Sequence, residues 1–248
     1  MPERTLRVCA LYPDLMNIYA DRGNILLLER RCQWRGIGFE VVPAGLGEGI
    51  DPDAHDLFYI GGAQDRDQAL CAQDMVDTKR DALHAAAGAG RVVLAVCGGY
   101  QLLGHHYELG DERIPGVGLV DLHTVREDGP RLIGNVAIEV RLPGLAGAGG
   151  TRVLAGFENH GGRTHLGPGA QPLGRVLKGH GNTGESGFEG VLRDHVIGTY
   201  LHGPLLPKNA WFADWLIATA LGIDEPLAPL EDELERAAHA DARRVAGL

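Results

Sequence analysis

The 248-residue sequence has no pair of cysteines at the spacing of a zinc site or a dithiol redox site. Its cysteines lie far apart in the chain, at Cys9, Cys32, Cys71 and Cys97. A disulfide framework is not expected in a chain of this size. The sequence therefore predicts no metal site and no disulfides. Cys9 and Cys32 lie in apolar periodic segments and are interpreted as buried packing residues.

Long apolar runs and an excess of positive charge are also missing. No stretch approaches the ~20 apolar residues that span a bilayer, and the first ten residues carry Glu3, Arg4 and Arg7 instead of an apolar signal sequence. Asp and Glu (33) outnumber Lys and Arg (23), which gives a net charge of -10. Because phosphate backbones and anionic lipids bind clustered basic residues, we expect a cytoplasmic protein without nucleic acid binding or membrane insertion.

Nucleotide-binding loops are not indicated either. The sequence has no G-x-x-x-x-G-K-[ST] phosphate loop. Residues 179–184 match G-x-G-x-x-G, but the residues that follow do not open a helix, as a dinucleotide site requires. A Gly/Asn turn is the better interpretation, and we expect no cofactor on this chain.

The chain reads as a single α/β domain over residues 1–248. In the first hundred residues, apolar strands at 6–11, 39–42, 57–60 and 91–96 alternate with helices at 24–35 and from the loop at 63–68 through 87. Continuous apolar strands between helices predict a parallel sheet covered on both faces. Strands at 131–140, 152–157 and 191–201 predict antiparallel additions, followed by a helix at 209–221. Residues 224–248 are expected to form a helical tail that packs loosely or meets a partner.

Cys97 lies between the end of a buried strand and a helical segment, in the run Val96-Cys97-Gly98-Gly99-Tyr100. Ligands of open α/β sheets gather beyond the carboxyl ends of the strands, where this sulfur would project. A helix N-terminus lowers the pKa of a thiol, and the thiolate is the nucleophile. We therefore expect Cys97 to be a nucleophile with a lowered pKa. The alternative is an inert buried cysteine near a turn.

A cysteine nucleophile requires a base, and His202 is the candidate. It follows another apolar strand and precedes Gly203-Pro204, so it can meet Cys97 at one edge of the sheet. The backbone N–H groups of Gly98 and of Gly62, in the loop after the third strand, are candidates for stabilising an oxyanion. Arg131 is a candidate for holding a substrate carboxylate, because a guanidinium pairs with it bidentately. A turn glycine and a surface arginine remain the alternatives for Gly62 and Arg131.

Together the elbow at Cys97, the Gly61-Gly62 loop and the late His202 resemble the class I glutamine amidotransferases over nearly the whole chain. Residues 156–164 (GFENHGGRT) and 200–204 (YLHGP) resemble the cobyric acid synthase-like branch. Residues 17–24 (NIYADRGN), 61–68 (GGAQDRDQ) and 202–209 (HGPLLPKN) are similar to the glutaminase subunits of lipid II isoglutaminyl synthases.

The resemblance implies that Cys97, His202 and Arg131 are the nucleophile, the base and the substrate-binding residue. L-Glutamine would be hydrolysed here, and the ammonia would pass through a channel to a separate MurT-like Mur ligase subunit. That partner would use ATP and Mg to amidate the D-glutamate of the lipid II stem peptide to D-isoglutamine. His202-Gly203-Pro204 replaces the usual His-Pro-Glu, so either a Cys/His dyad suffices, which we favour, or another acid such as Glu158 orients His202.

Two other functions are compatible with the sequence. The chain could supply ammonia for amidation of cobyrinate or another corrinoid, although amidases of that branch usually carry their ATP-using domain on the same chain. It could instead be a catalytically idle subunit that regulates a ligase. The presence of both Cys97 and His202 argues against an idle subunit.

Overall fold

A mainly parallel six-stranded sheet forms the centre of the protein, in a computed structural model that describes residues 4–18, 21–145 and 150–248. Its strand order is β2-β1-β3-β4-β14-β13. The strands are β1 (Thr5–Leu11), β2 (Gly38–Ala44), β3 (Leu57–Ile60), β4 (Val92–Val96), β13 (Val191–Arg193) and β14 (Val196–Thr199). All residues of β3 and β4 are buried, because helices cover both faces. The carboxyl ends of β3, β4 and β14 therefore lie side by side.

Connections between parallel strands of one sheet are right-handed as a rule, and this rule places the helices on both faces. α1 (Arg22–Gln33) connects β1 to β2 and packs against α5 (Leu205–Lys208) and α6 (Ala210–Ala220). α2 (Asp65–Asp74) and α3 (Arg80–Gly88) connect β3 to β4 in the opposite direction along the sheet, so they lie on the other face. No helix in the described ranges is both long and apolar enough to cross a membrane.

The segment between residues 65 and 88 departs from the predicted continuous helix. A π-helical turn at Met75–Lys79 separates α2 from α3. Lys79 is fully buried there, and its ammonium pairs with Asp74 at 2.6 Å and donates a hydrogen bond to the Gly45 carbonyl at 2.9 Å. Helical periodicity alone could not reveal this interruption, because it rests on contacts with residues distant in the sequence.

The second half of the chain adds the predicted antiparallel strands, and the predicted fold class is confirmed. Most of these strands form two separate four-stranded sheets, with the orders β10-β7-β5-β6 and β12-β11-β8-β9. Their members are β5 (His106–Leu109), β6 (Glu112–Pro115), β7 (Leu122–Arg126), β8 (Leu132–Arg141), β9 (Thr151–His160), β10 (Gly162–Leu166), β11 (Gly174–Lys178) and β12 (Phe188–Glu189). Only β13 extends the central sheet in antiparallel fashion among the described strands.

The strand predicted over residues 191–201 is wrong in one respect. Residues 191–199 form the hairpin of β13 and β14, and Asp194 at its turn has a φ of 52°. Aspartate is among the few non-glycine residues that adopt this left-handed region in turns. The run looked continuous because both strands are apolar and the turn has no glycine.

The C-terminal tail ends in α7 (Glu233–Val245), and an ion-pair cluster fixes the segment before it. Arg31 on α1 is fully buried and donates bidentate hydrogen bonds to Asp214 on α6 and to Asp232, at distances of 2.5 to 2.9 Å. The hydrogen bonds from Arg31, together with its charge, hold the pKa of Asp232 below its usual range. Asp232 therefore anchors the start of the tail to α1 and α6, whereas Ala242 is the only buried residue of α7. That the tail packs loosely or meets a partner stays a prediction.

Candidate active site

Cys97 forms a strained elbow directly after β4. Its φ and ψ are 52° and -108°, a conformation that is rare for a residue with a side chain. The following helix α4 (Gly98–Leu102) has only five residues, and Gly99 donates its N–H to the Gly61 carbonyl at 3.1 Å. A Cβ on Gly99 would lie 2.6 Å from Ile60 Cγ2, so only glycine permits this close approach of the elbow to β3.

The Cys97 thiol is deeply buried, with 5% of the residue exposed. Burial, reinforced by the negative charge of Asp21, raises the pKa of Cys97 to about 12. The Gly98 N–H and the Arg131 charge act in the opposite direction. The expected lowering of the thiol pKa is therefore wrong for this conformation, because desolvation and a neighbouring acid outweigh one short helix N-terminus. The other three cysteines are buried, as expected for Cys9 and Cys32.

His202 lies just beyond β14, the neighbour of β4. The Cys97 N–H donates to the Thr199 carbonyl at 2.8 Å, which joins the nucleophile elbow to the strand that leads to His202. His202 in turn exchanges two backbone hydrogen bonds with Phe157 on β9, at 2.9 and 3.1 Å. Burial, together with the charges of neighbouring groups, lowers the pKa of His202 to about 3. The imidazole is therefore neutral at physiological pH and can accept a proton.

Arg131 precedes β8, and its charge acts on both Cys97 and His202. Its positive charge lowers the pKa values of both Cys97 and His202. The guanidinium is held in place by Asn159, to whose side-chain and backbone oxygens Nε and Nη2 each donate at 2.8 Å. The residue is otherwise exposed. A positioned, accessible guanidinium beside a buried thiol and a neutral imidazole is suited to holding a substrate carboxylate.

The two predicted oxyanion donors differ in this conformation. The Gly98 N–H is directed at the Cys97 sulfur, as its effect on the thiol pKa indicates. The Gly62 N–H is already donated to Asp21 Oδ2 at 2.7 Å. The role of Gly62 in stabilising an oxyanion stays a prediction, and it requires this hydrogen bond to break.

Glu158, the candidate for a third catalytic acid, is buried in β9. Its Oε1 accepts the His180 N–H at 2.6 Å and its Oε2 accepts the Gly181 N–H at 3.0 Å. Oε2 also lies 3.8 Å from His160 Nε2, and the His160 ring stacks on Tyr200 with centroids 3.5 Å apart. These contacts give Glu158 a structural role in fixing the turn at 180–181.

Two features of the site were not anticipated from the sequence. One is Asp21, whose charge acts on Cys97. The other is a buried chain of hydrogen bonds that links the elbow to Tyr200, two residues before His202. In this chain Gln68 donates to Gln101 at 2.8 Å, Gln101 donates to the Tyr200 hydroxyl at 3.0 Å, and that hydroxyl bonds Thr164 at 2.5 Å. An Asp directly before a helical run is a helix-cap signal that could have drawn attention to Asp21.

Comparison with known proteins places this geometry in context. Residues 7–210 match the family model of the CobB/CobQ-like glutamine amidotransferase domain. A solved structure of PurLQS from Thermotoga maritima has a TM-score of 0.60 and 19% identity, covering 88% of this chain and 96% of that chain. At this identity the likeness shows the fold alone.

Two curated relatives carry the name "lipid II isoglutaminyl synthase (glutamine-hydrolyzing) subunit GatD". The relative from Streptococcus pneumoniae (strain ATCC BAA-255 / R6) is 37% identical and covers 93% of this chain and 88% of its own length. The one from Staphylococcus aureus (strain N315) is 39% identical, covering 94% and 90%. A cobyric acid synthase from Paracoccus denitrificans (strain Pd 1222) is 34% identical over 64% of this chain, but only 32% of that protein is matched.

Proposed function

The chain belongs to the CobB/CobQ-like glutamine amidotransferase domain family, and on this premise we propose that it is the glutaminase subunit of a lipid II isoglutaminyl synthase. It hydrolyses L-glutamine to glutamate and ammonia, and the ammonia amidates the D-glutamate of the lipid II stem peptide. The observation that carries the proposal is the strained Cys97 elbow beside the strand that leads to a neutral, buried His202. Relatives named GatD match this chain over most of both lengths, which supports the choice of product.

The proposed chemistry begins with both Cys97 and His202 uncharged. Because the thiol pKa is high and the imidazole pKa low, His202 removes the thiol proton only as the sulfur attacks the carboxamide carbon of glutamine. The oxyanion is stabilised by the Gly98 N–H and, once released from Asp21, by the Gly62 N–H. His202 then protonates the departing ammonia, and it later activates the water that releases glutamate. A Cys/His dyad suffices in this scheme.

Delivery of the ammonia requires a second protein. We infer a MurT-like Mur ligase subunit that binds ATP and Mg, since a carboxylate must be activated before ammonia can attack it. Free ammonia in water is mostly protonated and unreactive, so a channel between the two active sites is expected. Because glutamine and ATP are cytoplasmic substrates, we place the complex at the cytoplasmic side, where it reaches lipid II without inserting into the membrane.

Amidation of a corrinoid is the weaker alternative. The matched cobyric acid synthase is about three times as long as the matched region, because only 32% of its length aligns. The relatives named GatD align over 88% and 90% of theirs. The higher coverage of the relatives named GatD favours the lipid II product over a corrinoid.

Reconstitution with the Mur-ligase-like subunit tests the proposed function. Alone, the chain should consume no ATP and should leave lipid II unamidated. With the ligase, glutamine and ATP, the stem peptide should gain one amide, seen as a mass decrease of about 1 Da per lipid II with release of glutamate. Cobyrinate as acceptor serves as the control. Amidation of cobyrinate instead of lipid II, or no glutamate release by an assembled complex, would contradict the proposal.

Replacing Arg131 tests the substrate-binding role. Arg131→Ala should weaken use of glutamine by about 1.5–3 kcal/mol, the range for a hydrogen bond to a charged group, which is tenfold or more in kcat/KM. Arg131→Lys should recover only part of the loss, because the ammonium cannot form the same fork. Arg152→Ala, which removes an exposed arginine from β9, provides the matched control. Equal kinetics for the Arg131→Ala and Arg152→Ala proteins would return Arg131 to the role of a surface charge.

A further inference from the structure

Asp21 is a fully buried acid at the edge of the candidate active site. Its backbone is fixed on two sides: the carbonyl accepts hydrogen bonds from the Asn24 N–H at 2.9 Å and from the Tyr59 hydroxyl at 3.2 Å. Its Oδ2 accepts the Gly62 N–H at 2.7 Å. Its Oδ1 is buried and has no hydrogen-bond partner among the described residues. One oxygen of this carboxyl therefore accepts a hydrogen bond from the glycine loop, and the other has no hydrogen-bond donor among the described residues.

The carboxyl of Asp21 and the side chain of Cys97 both lie close to Gly62. A Cβ built on Gly62 would lie 3.3 Å from Asp21 Oδ2 and 3.1 Å from Cys97 Cβ. Because both groups are buried against Gly62, the Asp21 carboxylate disfavours a second negative charge on the sulfur or on a nearby oxyanion. The arrangement opposes two events that glutamine hydrolysis needs, loss of the thiol proton from Cys97 and release of the Gly62 N–H.

The first turn of α1 also connects Asp21 to the segment after His202. Asn24 Oδ1 accepts the Leu206 N–H at 2.8 Å, and a Cβ on Gly23 would lie 2.9 Å from Pro204 Cγ. A displacement of residues 203–206 would therefore act directly on the turn that carries Asp21. The restraint on Gly62 and the position of the base belong to one packed unit.

We propose that Asp21 is a positioning residue that holds the glutaminase site at rest: its carboxylate withholds the Gly62 N–H from the oxyanion and keeps negative charge beside Cys97. Turnover begins when the carboxylate releases Gly62. This inference rests on the proposed function, because it assigns Gly62 to the same oxyanion. It differs from a purely structural role, in which Asp21 would support the loop in its working conformation.

Several ionisable groups surround the sulfur and must be considered in any pH measurement. Asp21 faces Cys97 from the start of α1, Asp65 from the start of α2, and Arg131 from the residue before β8, while the Tyr59 hydroxyl faces Asp21 from β3. Burial raises the pKa of Asp21 itself to about 7, against the effect of the Gly62 N–H. Asp21 therefore gains its charge as the pH rises through about 7, and only above that value does it oppose ionisation of Cys97 fully.

The test compares Asp21→Asn, which keeps the shape and an acceptor oxygen without the charge, with Asp21→Ala, which leaves the Gly62 N–H unbonded. Alkylation of Cys97 by iodoacetamide is followed against pH by mass spectrometry. In both variants the midpoint should fall by about one pH unit, a tenfold gain in thiolate at a given pH. The kcat of the isolated chain for glutamine should rise tenfold or more in Asp21→Ala, with a smaller change in KM. Asp67→Asn, which removes an acid from the first turn of α2, is the control.

An unchanged alkylation midpoint in Asp21→Asn, in a variant with wild-type thermal stability, would overturn the proposal. So would a fall in kcat for both variants while the fold is retained, since that result assigns Asp21 a supporting role. If Asp21→Ala unfolds, the Asp21→Asn protein alone decides through its midpoint and kcat. Alkylation does not require glutamine hydrolysis, so a wild-type protein without glutaminase activity would refute the proposed function and still leave the Asp21 midpoint measurable.

Discussion

Cys97→Ser should reduce glutamine hydrolysis by a factor of about 1,000 or more, because loss of a nucleophile removes the covalent route altogether. The serine hydroxyl is too weakly acidic for a neutral His202 to activate without the rest of a serine-hydrolase site. The loss should be measured as glutamate release by the complex with its ligase. In the same mutant complex, high concentrations of an ammonium salt should restore ATP-dependent amidation, because only the ammonia supply is damaged.

The other cysteines provide matched controls for this experiment. Cys9→Ser, Cys32→Ser and Cys71→Ser each alter a buried thiol outside the elbow, and the variants that fold should keep most of the glutaminase activity. A glutamine-analogue electrophile such as diazo-oxo-norleucine should add mass only to the peptide that contains Cys97. Labelling at another cysteine, or failure of ammonia to rescue an assembled complex, would show that Cys97 does not liberate ammonia.

Loss of the base should have the second largest effect. His202→Ala should lower kcat by about 100- to 10,000-fold, the range for general acid–base catalysis, while the KM for glutamine changes little. His180→Ala, which removes an exposed imidazole from the turn after β11, is the control. If both variants retain wild-type kcat, another group must deprotonate Cys97.

The pH dependence of the wild-type enzyme provides an independent check of the same assignment. Burial lowers the pKa of His202 to about 3, so the neutral imidazole that acts as base is present above that value. The acidic limb of kcat/KM attributable to His202 should therefore lie well below pH 6.5, the value for an exposed histidine. The contribution of His202 is found by comparing the pH profiles of kcat/KM for the wild-type and His202→Gln proteins. A wild-type limb at pH 6 to 7 that disappears in His202→Gln would mean that the imidazole is solvated during turnover.

The elements that positioned the candidate site could be predicted because they depend on local patterns. β3 and β4 are uninterrupted apolar runs, and the prediction for β3 matches the structure at both ends. The glycines that follow each run marked where chemistry could occur. The sequence patterns did not reveal features that depend on contacts between distant residues. Examples are the π-helical turn around buried Lys79 and the anchoring of the tail by Arg31.

The state of the candidate site was harder to predict than its location. Sequence placed Cys97 next to a helix N-terminus, and this suggested a lowered pKa for the thiol. The structure adds what the local sequence does not contain, the depth of burial and the proximity of Asp21, which lies 76 positions away in the chain. Electrostatic effects on a buried group depend on every charge within reach, so they follow from the tertiary arrangement and not from the motif.

The left-handed backbone at Cys97 also matters for anyone who engineers this protein. A side chain at this φ costs about 1–3 kcal/mol of conformational energy, which the surrounding packing must offset. Redesign guided by stability alone would therefore favour glycine at position 97 and would remove the nucleophile. A library that aims at a robust version of this subunit should hold position 97 constant and select for ammonia release rather than for melting temperature.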